Sequence, residues 1–397
     1  MVDPGVYAAR LLNAYRTLMR QRKTWSEKDF SMLLTGRNVN LKHAAEASGG
    51  KWHPVDLPHA SYDWIKREPR HVEFGVAELN NVIVNHAWQI FLPDHDMCVL
   101  DEGYVNALKW FPMPHTMEGD RFTADIDKPL IEVTAPTILV GGQNNHWHMM
   151  MNWFPRLMLF EKVFGTASRY CLTMHHRPHP SQIEFLRLLK INTDKSIIYN
   201  EPNYGLSRGL LFFKKLYVPT FFSNHTLNKS VIDWWRTEIS AKINTSGSEL
   251  YNGGIYASRQ NEMRVRRRIS NSPALEKVLA KRGIAPIYCD DLSLQGQVRA
   301  FKEASVIVGG HGAQLANLVF AKPGTKVILF EYKDISEYEA LADMAGLECH
   351  KIITPQIDGK EGQEASEPRL RDFMVDVPKV DKILSSFYSR PRRRLTK

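Results

Sequence analysis

The sequence predicts an α/β protein of two domains, each built around a largely parallel β-sheet. From Thr137 onward, short apolar runs alternate with amphipathic stretches of helical length, a pattern typical of βαβ units. Residues 306–332 show this unit most clearly, as a buried strand, a glycine-rich turn, a helix, a Pro-Gly break and a second strand. Residues 244–254 have the composition of a linker, and we place the domain boundary there.

Four segments follow from this division. We predict an N-terminal α/β domain over residues 1–243, in which the pattern is weakest up to about residue 130, and then the linker over 244–254. A C-terminal α/β domain is predicted over 255–355, followed by an extension over 356–397 that ends in a basic tail.

The elements of the first domain are predicted from runs of β-branched and aromatic residues for strands and from helical spacing of apolar residues for helices. The predicted strands are 82–84, 89–92, 97–100, 138–142, 167–174, 196–199 and 210–218. The predicted helices are 149–163, 181–190 and 229–243. A further amphipathic helix between Val6 and Leu18 is expected to dock on the protein, with attachment to a membrane surface as its alternative use.

The elements of the second domain follow the same two signals. The predicted strands are 255–257, 285–289, 305–308 and 326–330, and the predicted helices are 273–281 and one that opens at Ala313. Apolar positions between Val380 and Tyr388 predict a last helix, which we expect to return to the first domain and pack there.

The glycine-rich turn is the first candidate for a site. Gly309, Gly310 and Gly312 are expected to let the backbone turn sharply and approach a ligand without a Cβ in the way. The helix that opens at Ala313 would aim backbone N–H groups at this ligand, which suits a phosphate. An ordinary crossover with a tight loop is the alternative interpretation, and His311 between the glycines favours a site.

Composition predicts a cytosolic protein with anionic partners. The longest apolar run is far shorter than the roughly 18 residues of a membrane span, and the N-terminus lacks the features of a signal peptide. The four cysteines show no CxxC pair and predict reduced thiols without a zinc site. The net charge of +9 suits a nucleotide diphosphate, a lipid phosphate or the inner face of a membrane.

Several motifs in one order resemble a known family. Residues 255–271 form a strand that runs into an arginine cluster, and the glycine-rich turn follows. Upstream lie an N-x-x-H at Asn145 and His148 and a P-R-L at Pro155–Leu157. Between about residues 138 and 332 this set is similar to the family 61 glycosyltransferases, which include bacterial capsule-type enzymes, plant xylosyl- and arabinosyltransferases and animal O-GlcNAc-type transferases.

The resemblance implies a GT-B fold, in which two Rossmann-like domains face a cleft. It also implies a nucleotide-sugar donor, most simply a UDP-sugar, and inversion at the anomeric carbon. The expected acceptor is a glycan or lipid-linked glycan of cell-surface polysaccharide synthesis, with no cofactor and no metal. In this arrangement the N-terminal domain binds the acceptor and the C-terminal domain binds the donor.

The donor diphosphate needs positive charge as it leaves, and arginine supplies it in a fixed planar geometry. Arg259 directly follows a predicted strand, at the carboxyl edge where open α/β sheets bind ligands. We therefore predict that the diphosphate contacts Arg259, with Arg266 or Arg267, beside the turn and Ala313. A solvated basic surface is the alternative for any one of these arginines.

Two further residues are predicted to bind the donor. Glu331 ends the strand after the Pro-Gly break, where an acid in a GT-B enzyme often accepts hydrogen bonds from ribose. Asn317, on the helix that opens at Ala313, would contact the donor. A strand-terminal glutamate and an asparagine that bridges backbone groups are the structural alternatives.

Histidines are the candidate proton acceptors, since an imidazole suits abstraction of a hydroxyl proton near neutral pH. We predict His148 as the base and His311 as the second choice, with hydrogen bonding to the donor as another role for His311. Asn145 and His146 are predicted to contact the acceptor. Satisfied structural histidines remain the alternative.

Two rival hypotheses stay open. Many family members carry an acid next to the position of Asn271 and another near Asn152, and this chain has Ser272 and an amide there. A binding module without catalysis would fit those departures. A nucleic-acid-binding protein would fit the basic charge, but the chain lacks a known motif for it, so we expect no nucleic-acid partner. The DxD triplets at 94–96 and 125–127 follow no convincing strand, so they do not predict a metal site.

Overall fold

The structure, a computed structural model, describes residues 32–85, 88–100, 115–126, 130–142, 145–174, 180–199, 210–243, 253–261, 267–357 and 371–388. These residues form two compact units. The first unit takes the described residues of 1–60 and 71–224, and the second takes those of 61–70 and 225–397. The predicted N-terminal helix, nearly all of the predicted linker and the basic tail lie outside the described residues.

The described strands in chain order are β1 (Met32–Asn38), β2 (Lys51–Pro54), β3 (Ser61–Asp63), β4 (Glu68–Arg70), β5 (Gly75–Val84), β6 (Ile90–Leu92), β7 (Met97–Val99), β8 (His115–Glu118), β9 (Arg121–Ile126), β10 (Leu130–Val133), β11 (Thr137–Leu139), β12 (Cys171–Met174), β13 (Ile197–Tyr199), β14 (Leu210–Pro219), β15 (Thr226–Asn228), β16 (Ile255–Ala257), β17 (Ala285–Ile287), β18 (Val306–Gly310), β19 (Lys326–Glu331), β20 (Glu348–Ile353), β21 (Gln356–Ile357) and β22 (Asp372–Phe373).

The described α-helices are α1 (Leu41–Ala47), α2 (His146–His148), α3 (Pro155–Phe164), α4 (Pro180–Leu188), α5 (Lys229–Asp233), α6 (Ser272–Ala280), α7 (Leu294–Glu303), α8 (Glu337–Met344) and α9 (Val377–Tyr388). The described π-helical segments are Met149–Trp153 and Trp234–Ile239. The described 3₁₀ helices are Pro93–His95, Ala167–Arg169, Cys289–Asp291 and Ala313–Phe320.

The first unit contains a mixed sheet rather than a largely parallel one. Its strand order is β13–β12–β11–β14–β5–β6–β7–β1–β9–β8, with β10 beside β14 and β2 beside β5. Strands β13, β12, β11 and β14 run parallel, as the βαβ pattern predicts. Beyond β14 most pairs are antiparallel. The prediction of a parallel sheet is therefore correct only for the part of this unit that follows residue 130.

The second unit has a five-stranded parallel sheet in the order β17–β16–β18–β19–β20. All five residues of β18 are buried, which explains its uninterrupted apolar run. Tyr256, Val308 and Phe330 from three neighbouring strands share one apolar core with Leu275 of α6. Because the strands are parallel, their carboxyl ends lie along one edge of the sheet.

The last helix packs in the second unit, so the prediction that it returns to the first domain is wrong. Val380 and Leu384 of α9 are 0% exposed and belong to the same core as Leu275. Asp381 also pairs with Arg282, which follows α6, at 2.6 Å. The pairing of Phe373 in β22 with Ile269 holds the preceding chain on this unit.

The chain passes into the second unit at residue 225, earlier than the linker predicted at 244–254. Strand β15 pairs with β3, which brings residues 61–70 into the second unit as well. Arg236, in the π-helical segment after α5, donates to the carbonyls of Val319 and Ala345. These carbonyls end a 3₁₀ helix and follow α8, so the helix predicted at 229–243 belongs to the second unit.

The helices of the described ranges all fall short of the length and apolar character that crossing a bilayer requires.

The docking of α9 can be tested by truncating its buried face. We expect Leu384→Ala to lower the free energy of unfolding by about 2–5 kcal/mol, since it removes apolar contacts and leaves a cavity. Tyr388→Ala on the same helix should change it by no more than about 0.5 kcal/mol, because Tyr388 is 51% exposed. Urea unfolding measures both, and equal losses would contradict the packing described here.

Candidate functional site

His148 lies near the start of a continuous helical stretch that follows β11. Asn145 caps this stretch, and its side-chain oxygen accepts from the His148 backbone N–H at 3.4 Å. The stretch widens into a π-helical turn at Met149–Trp153, where the Phe154 N–H bonds to the Met149 carbonyl. The π turn ends just before Pro155, whose ring nitrogen has no hydrogen to donate to the preceding turn. Such π turns often occur at functional sites.

The P-R-L motif fixes this stretch to the end of β11. Arg156 is 0% exposed, and its guanidinium lies 5.3 Å from the ring centres of Trp153 and Phe221. The same guanidinium donates to the Leu139 carbonyl at the end of β11. Gly141 has φ 80°, and a Cβ there would lie 2.3 Å from the Trp153 ring, so glycine is required at this crossing.

The His148 ring is held by an amide. Its Nδ1 lies 2.9 Å from Asn152 Oδ1, one helical turn further on. The Asn152 amide nitrogen donates to the Phe222 carbonyl at 2.6 Å. Asn145 is exposed and His146 is half-buried on the same turn of helix. The three residues predicted to act on the acceptor are therefore brought together at the carboxyl end of a parallel strand.

The carboxyl edge of the five-stranded sheet gathers the residues predicted to bind the donor. Arg259 is the second residue after β16, and His311 is the first residue after β18. Glu331 is the last residue of β19. Arg267 lies in the loop between β16 and α6 and contributes to the electrostatic field at His311. Arg266 lies outside the described residues.

Arg259 and Gln314 meet over the glycine-rich turn. Arg259 Nη1 donates to Gln314 Oε1 at 2.9 Å, and Gln314 donates to the Gly310 carbonyl at 3.1 Å. A Cβ on Gly312 would lie 2.4 Å from Arg259 Nη1 and 2.3 Å from Gln314 Oε1. The φ of Gly312 is 174°, which is extended backbone that any residue can adopt. Glycine is therefore needed here to leave space for the Arg259–Gln314 pair, and not for the sharp turn that we expected. The helix does open at Ala313, as a 3₁₀ helix.

His311 and Glu331 form a buried pair. His311 Nδ1 lies 2.8 Å from Glu331 Oε2, with the histidine 5% and the glutamate 0% exposed. The hydroxyl of Ser336 donates to the other oxygen, Glu331 Oε1. The same hydroxyl accepts from the N–H groups of Tyr338 and Glu339 and so caps α8. Sequence reasoning did not find Ser336, although its place before the Glu337–Glu339 turn is a helix-start signal.

The charge state of the pair follows from its burial. Burial lowers the pKa of His311 to about 3, against the opposing effect of Glu337, whose Oε1 lies 3.8 Å from His311 Nε2. Burial also raises the pKa of Glu331 to about 7. The imidazole is therefore neutral at physiological pH. When Glu331 is ionised it accepts the Nδ1 proton and leaves Nε2 as an acceptor; when protonated it can donate to Nδ1, and Nε2–H becomes a donor.

Two predicted donor ligands are enclosed by the protein. Both carboxylate oxygens of Glu331 are occupied by His311 and Ser336, so this geometry favours a role through His311 over contact with ribose. Asn317 is 0% exposed and donates to Gln297 Oε1 at 2.9 Å. Direct contact of either residue with a donor stays a prediction.

Arg267 completes the basic cluster beside His311. Burial has the largest effect on the pKa of His311, and Glu337 opposes it. The positive charges of Arg267, Lys333 and Arg259 have smaller effects and also lower this pKa. Within the described ranges, the Arg267 Nε atom is buried without a hydrogen-bond partner. Lys333 pairs with Glu337 at 2.8 Å. A cluster of this kind, at the end of a parallel sheet, suits an anionic ligand.

Among the described residues, no three His, Cys, Asp or Glu side chains come close enough to share a metal ion. Of the two DxD triplets, the first lies in a turn between β6 and β7, where Asp96 pairs with Arg121. Asp127 of the second triplet lies outside the described residues.

Fold and site together define an α/β protein with a basic, histidine-containing edge suited to a phosphorylated ligand. The Glycosyltransferase 61 family model matches residues 146–328, and this is the family that the motifs resemble. This range includes His148 at one end and the glycine-rich turn near the other.

Two curated relatives match shorter segments. A beta-1,2-xylosyltransferase of Arabidopsis thaliana is 42% identical over 64 residues, and beta-1,2-xylosyltransferase RCN11 of Oryza sativa subsp. japonica is 38% identical over 66 residues. These segments cover 15% and 16% of this chain and 12% of each relative.

Among solved structures, the dodecameric iron-containing heptosyltransferase TibC in complex with ADP-D-beta-D-heptose aligns with 81% of this chain and 90% of its own. The sequence identity is 10% and the TM-score is 0.30, too low to indicate a shared arrangement.

The Ser336 hydroxyl should be more important than an ordinary helix cap. Ser293 caps α7 through its side chain in an exposed position, so Ser293→Ala should cost about 1 kcal/mol of unfolding free energy. Ser336→Ala should cost about 1–3 kcal/mol more, because it also leaves a buried carboxylate oxygen unsatisfied. Urea unfolding of both variants decides, and similar losses would show that Glu331 does not depend on Ser336.

Proposed function

We propose that the protein is an inverting glycosyltransferase that moves a sugar from a nucleotide diphosphate to a hydroxyl acceptor. One observation carries the proposal: Arg259, the Gly312 turn and the buried His311–Glu331 pair lie together at the carboxyl edge of a parallel sheet. All of them except Glu331 fall within the segment 146–328 that the Glycosyltransferase 61 model matches. A GT-B arrangement of the two units is part of this proposal.

The donor diphosphate would lie against Arg259 and Arg267. A guanidinium donates two parallel hydrogen bonds to phosphate oxygens and keeps its charge at any physiological pH. Gln314 holds Arg259 at the turn, so the cation is ordered before a ligand arrives. Ordered charges stabilise a leaving diphosphate without the cost of reorganising them during the reaction.

His148 would take the acceptor proton. The acceptor oxygen forms a bond to the anomeric carbon while its proton passes to His148 Nε2. The bond between the anomeric carbon and the phosphate oxygen breaks, and its electron pair leaves with the nucleotide diphosphate. Attack from the face opposite the leaving group inverts the anomeric centre. Asn145 and His146, beside His148 on the same turn, are the proposed acceptor contacts.

The finer assignments extend the same proposal. We take the donor to be a UDP-sugar and the acceptor to be a glycan or lipid-linked glycan in cell-surface polysaccharide synthesis. The net charge of +9 supports work next to anionic lipid phosphates, and we place the protein in the cytoplasm or at the inner face of a membrane. No metal is assigned a part in the reaction.

A binding module without catalysis is the second candidate. Asn152 lies in the short segment before the P-R-L motif where the family resemblance implies an acid, and His148 has this amide beside it. This alternative predicts nucleotide binding without turnover, which separates it from the transferase by experiment.

Donor binding is tested by thermal shift with UDP, GDP, CMP, dTDP and ADP, with and without magnesium. A nucleotide at a hundred times its dissociation constant should stabilise the protein by about 2.7 kcal/mol. We expect one nucleotide class to do so, and Arg259→Ala to abolish the shift. Arg282→Ala is the matched control, because Arg282 lies at the opposite edge of the same sheet and pairs with Asp381. No shift with any nucleotide would contradict the donor site.

The role of His148 is tested by steady-state kinetics once a donor is known. His148→Gln should lower turnover roughly 10²–10⁴-fold, the usual contribution of a general base, while nucleotide affinity stays the same. His43→Gln, on an exposed position of α1, is the control and should change neither. Equal losses of turnover and affinity would mean that His148 binds substrate rather than accepts a proton.

A further inference from the structure

We propose that Asn152 is a positioning residue that fixes His148 as the Nδ1–H tautomer and so keeps Nε2 unprotonated for the acceptor hydroxyl. The inference rests on the proposed function, in which His148 is the base. It gives a chemical role to the amide that stands where the family resemblance leads one to look for an acid.

The orientation of the Asn152 amide follows from its partner. A backbone carbonyl only accepts hydrogen bonds, so the group that faces the Phe222 carbonyl at 2.6 Å must be the amide nitrogen. The amide oxygen then faces His148 Nδ1 at 2.9 Å. This oxygen also only accepts, so Nδ1 must carry the hydrogen. In a neutral imidazole the other nitrogen, Nε2, then has none.

The Phe222 carbonyl that sets this order is itself anchored. The Phe222 ring stacks on Phe74 at 4.9 Å, and two residues earlier the Thr220 N–H bonds to the Gly75 carbonyl. Asn152 is 1% exposed, within the π-helical turn. The bond from Asn152 to the Phe222 carbonyl is therefore shielded from water, and a flip of the amide would place two acceptor oxygens face to face.

An amide differs from an acid at this position. A carboxylate would accept from Nδ1 in the same way, and its negative charge would also stabilise the protonated imidazolium. The amide selects the tautomer without adding that charge. The neutral Asn152 amide thus orients the His148 ring. It also donates to the buried Phe222 carbonyl, which an ionised acid at this position would leave without a donor.

The tautomer can be read directly in the full chain by ¹⁵N NMR. With ¹⁵N-labelled histidine, His148 is assigned as the resonance that His148→Gln removes. At a pH where the ring is neutral, we expect a protonated Nδ1 and an unprotonated Nε2. The opposite tautomer would overturn the inference whatever the activity of the protein. The expected tautomer in a protein that turns over no nucleotide sugar would instead count against the proposed function.

Variants then connect the tautomer to turnover. Asn152→Leu should lose the fixed tautomer and lower kcat by about tenfold or more, with the KM for the donor unchanged. Asn152→Asp keeps an acceptor toward Nδ1 and should retain both the tautomer and more of kcat. Asn80→Leu, which removes another amide-to-carbonyl bond of the first unit, should leave kcat as it is. If kcat of Asn152→Leu equals that of Asn80→Leu, the positioning role of Asn152 is overturned. If Asn152→Asp does not fold, the ¹⁵N NMR spectrum of the wild-type protein decides the tautomer.

Discussion

A carboxylate buried without partners is costly enough that the surrounding structure must supply donors to it. Glu331 ends the fourth strand of the parallel sheet at 0% exposure, and this constraint orders much of the candidate donor site. Ser336 donates a hydrogen bond to one oxygen of Glu331 and thereby connects the start of α8 to the end of β19. The His311 ring, which follows the neighbouring strand β18, bonds to the other oxygen and is held in one orientation.

Each unit holds one candidate histidine through a hydrogen bond between its ring and a side-chain oxygen. Both candidate histidines have Nδ1 held by a side-chain oxygen, from Asn152 in one unit and from Glu331 in the other. The amide of Asn152 is neutral and does not titrate, so its oxygen can only accept a hydrogen bond from Nδ1. The carboxyl group, with a pKa raised by burial to about 7, can accept or donate near neutrality. Two groups of different charge therefore hold the two imidazoles through the same ring nitrogen.

The sequence predicted the second unit better than the first, for a physical reason. Strands buried on both faces, such as β16 and β18, read as continuous apolar runs and were predicted to within two residues. The edge strand β20 is largely exposed or half-buried and begins with the mostly polar residues Glu348–Lys351, and it was not predicted. In the first unit some antiparallel pairs, such as β5 with β14 and β1 with β9, join strands that are far apart in sequence, and local pattern carries no record of such pairing. The apolar periodicity of α9 predicts a helix with one buried face, but it does not identify the surface on which that face packs.

The candidate site divides in the same way. Placement of Arg259, His148 and His311 at carboxyl ends of strands followed from the βαβ pattern. The contacts of Gln314 with Arg259, of Asn152 with His148 and of Ser336 with Glu331 are set by side-chain packing, which sequence spacing alone does not give. Glu331 shows the limit most clearly: its position at the strand end was predicted, whereas its enclosure by Ser336 and His311 was not.

In the proposed function, the basic edge of the five-stranded sheet binds the diphosphate of a nucleotide sugar. The decisive experiment is a crystal structure of the full chain with the nucleotide diphosphate that stabilises it. We expect phosphate oxygens hydrogen-bonded to the Arg259 guanidinium, beside His311 and above Gly312. A nucleotide bound away from this edge, or one that turns its base toward Arg259 and its phosphates into solvent, would contradict it.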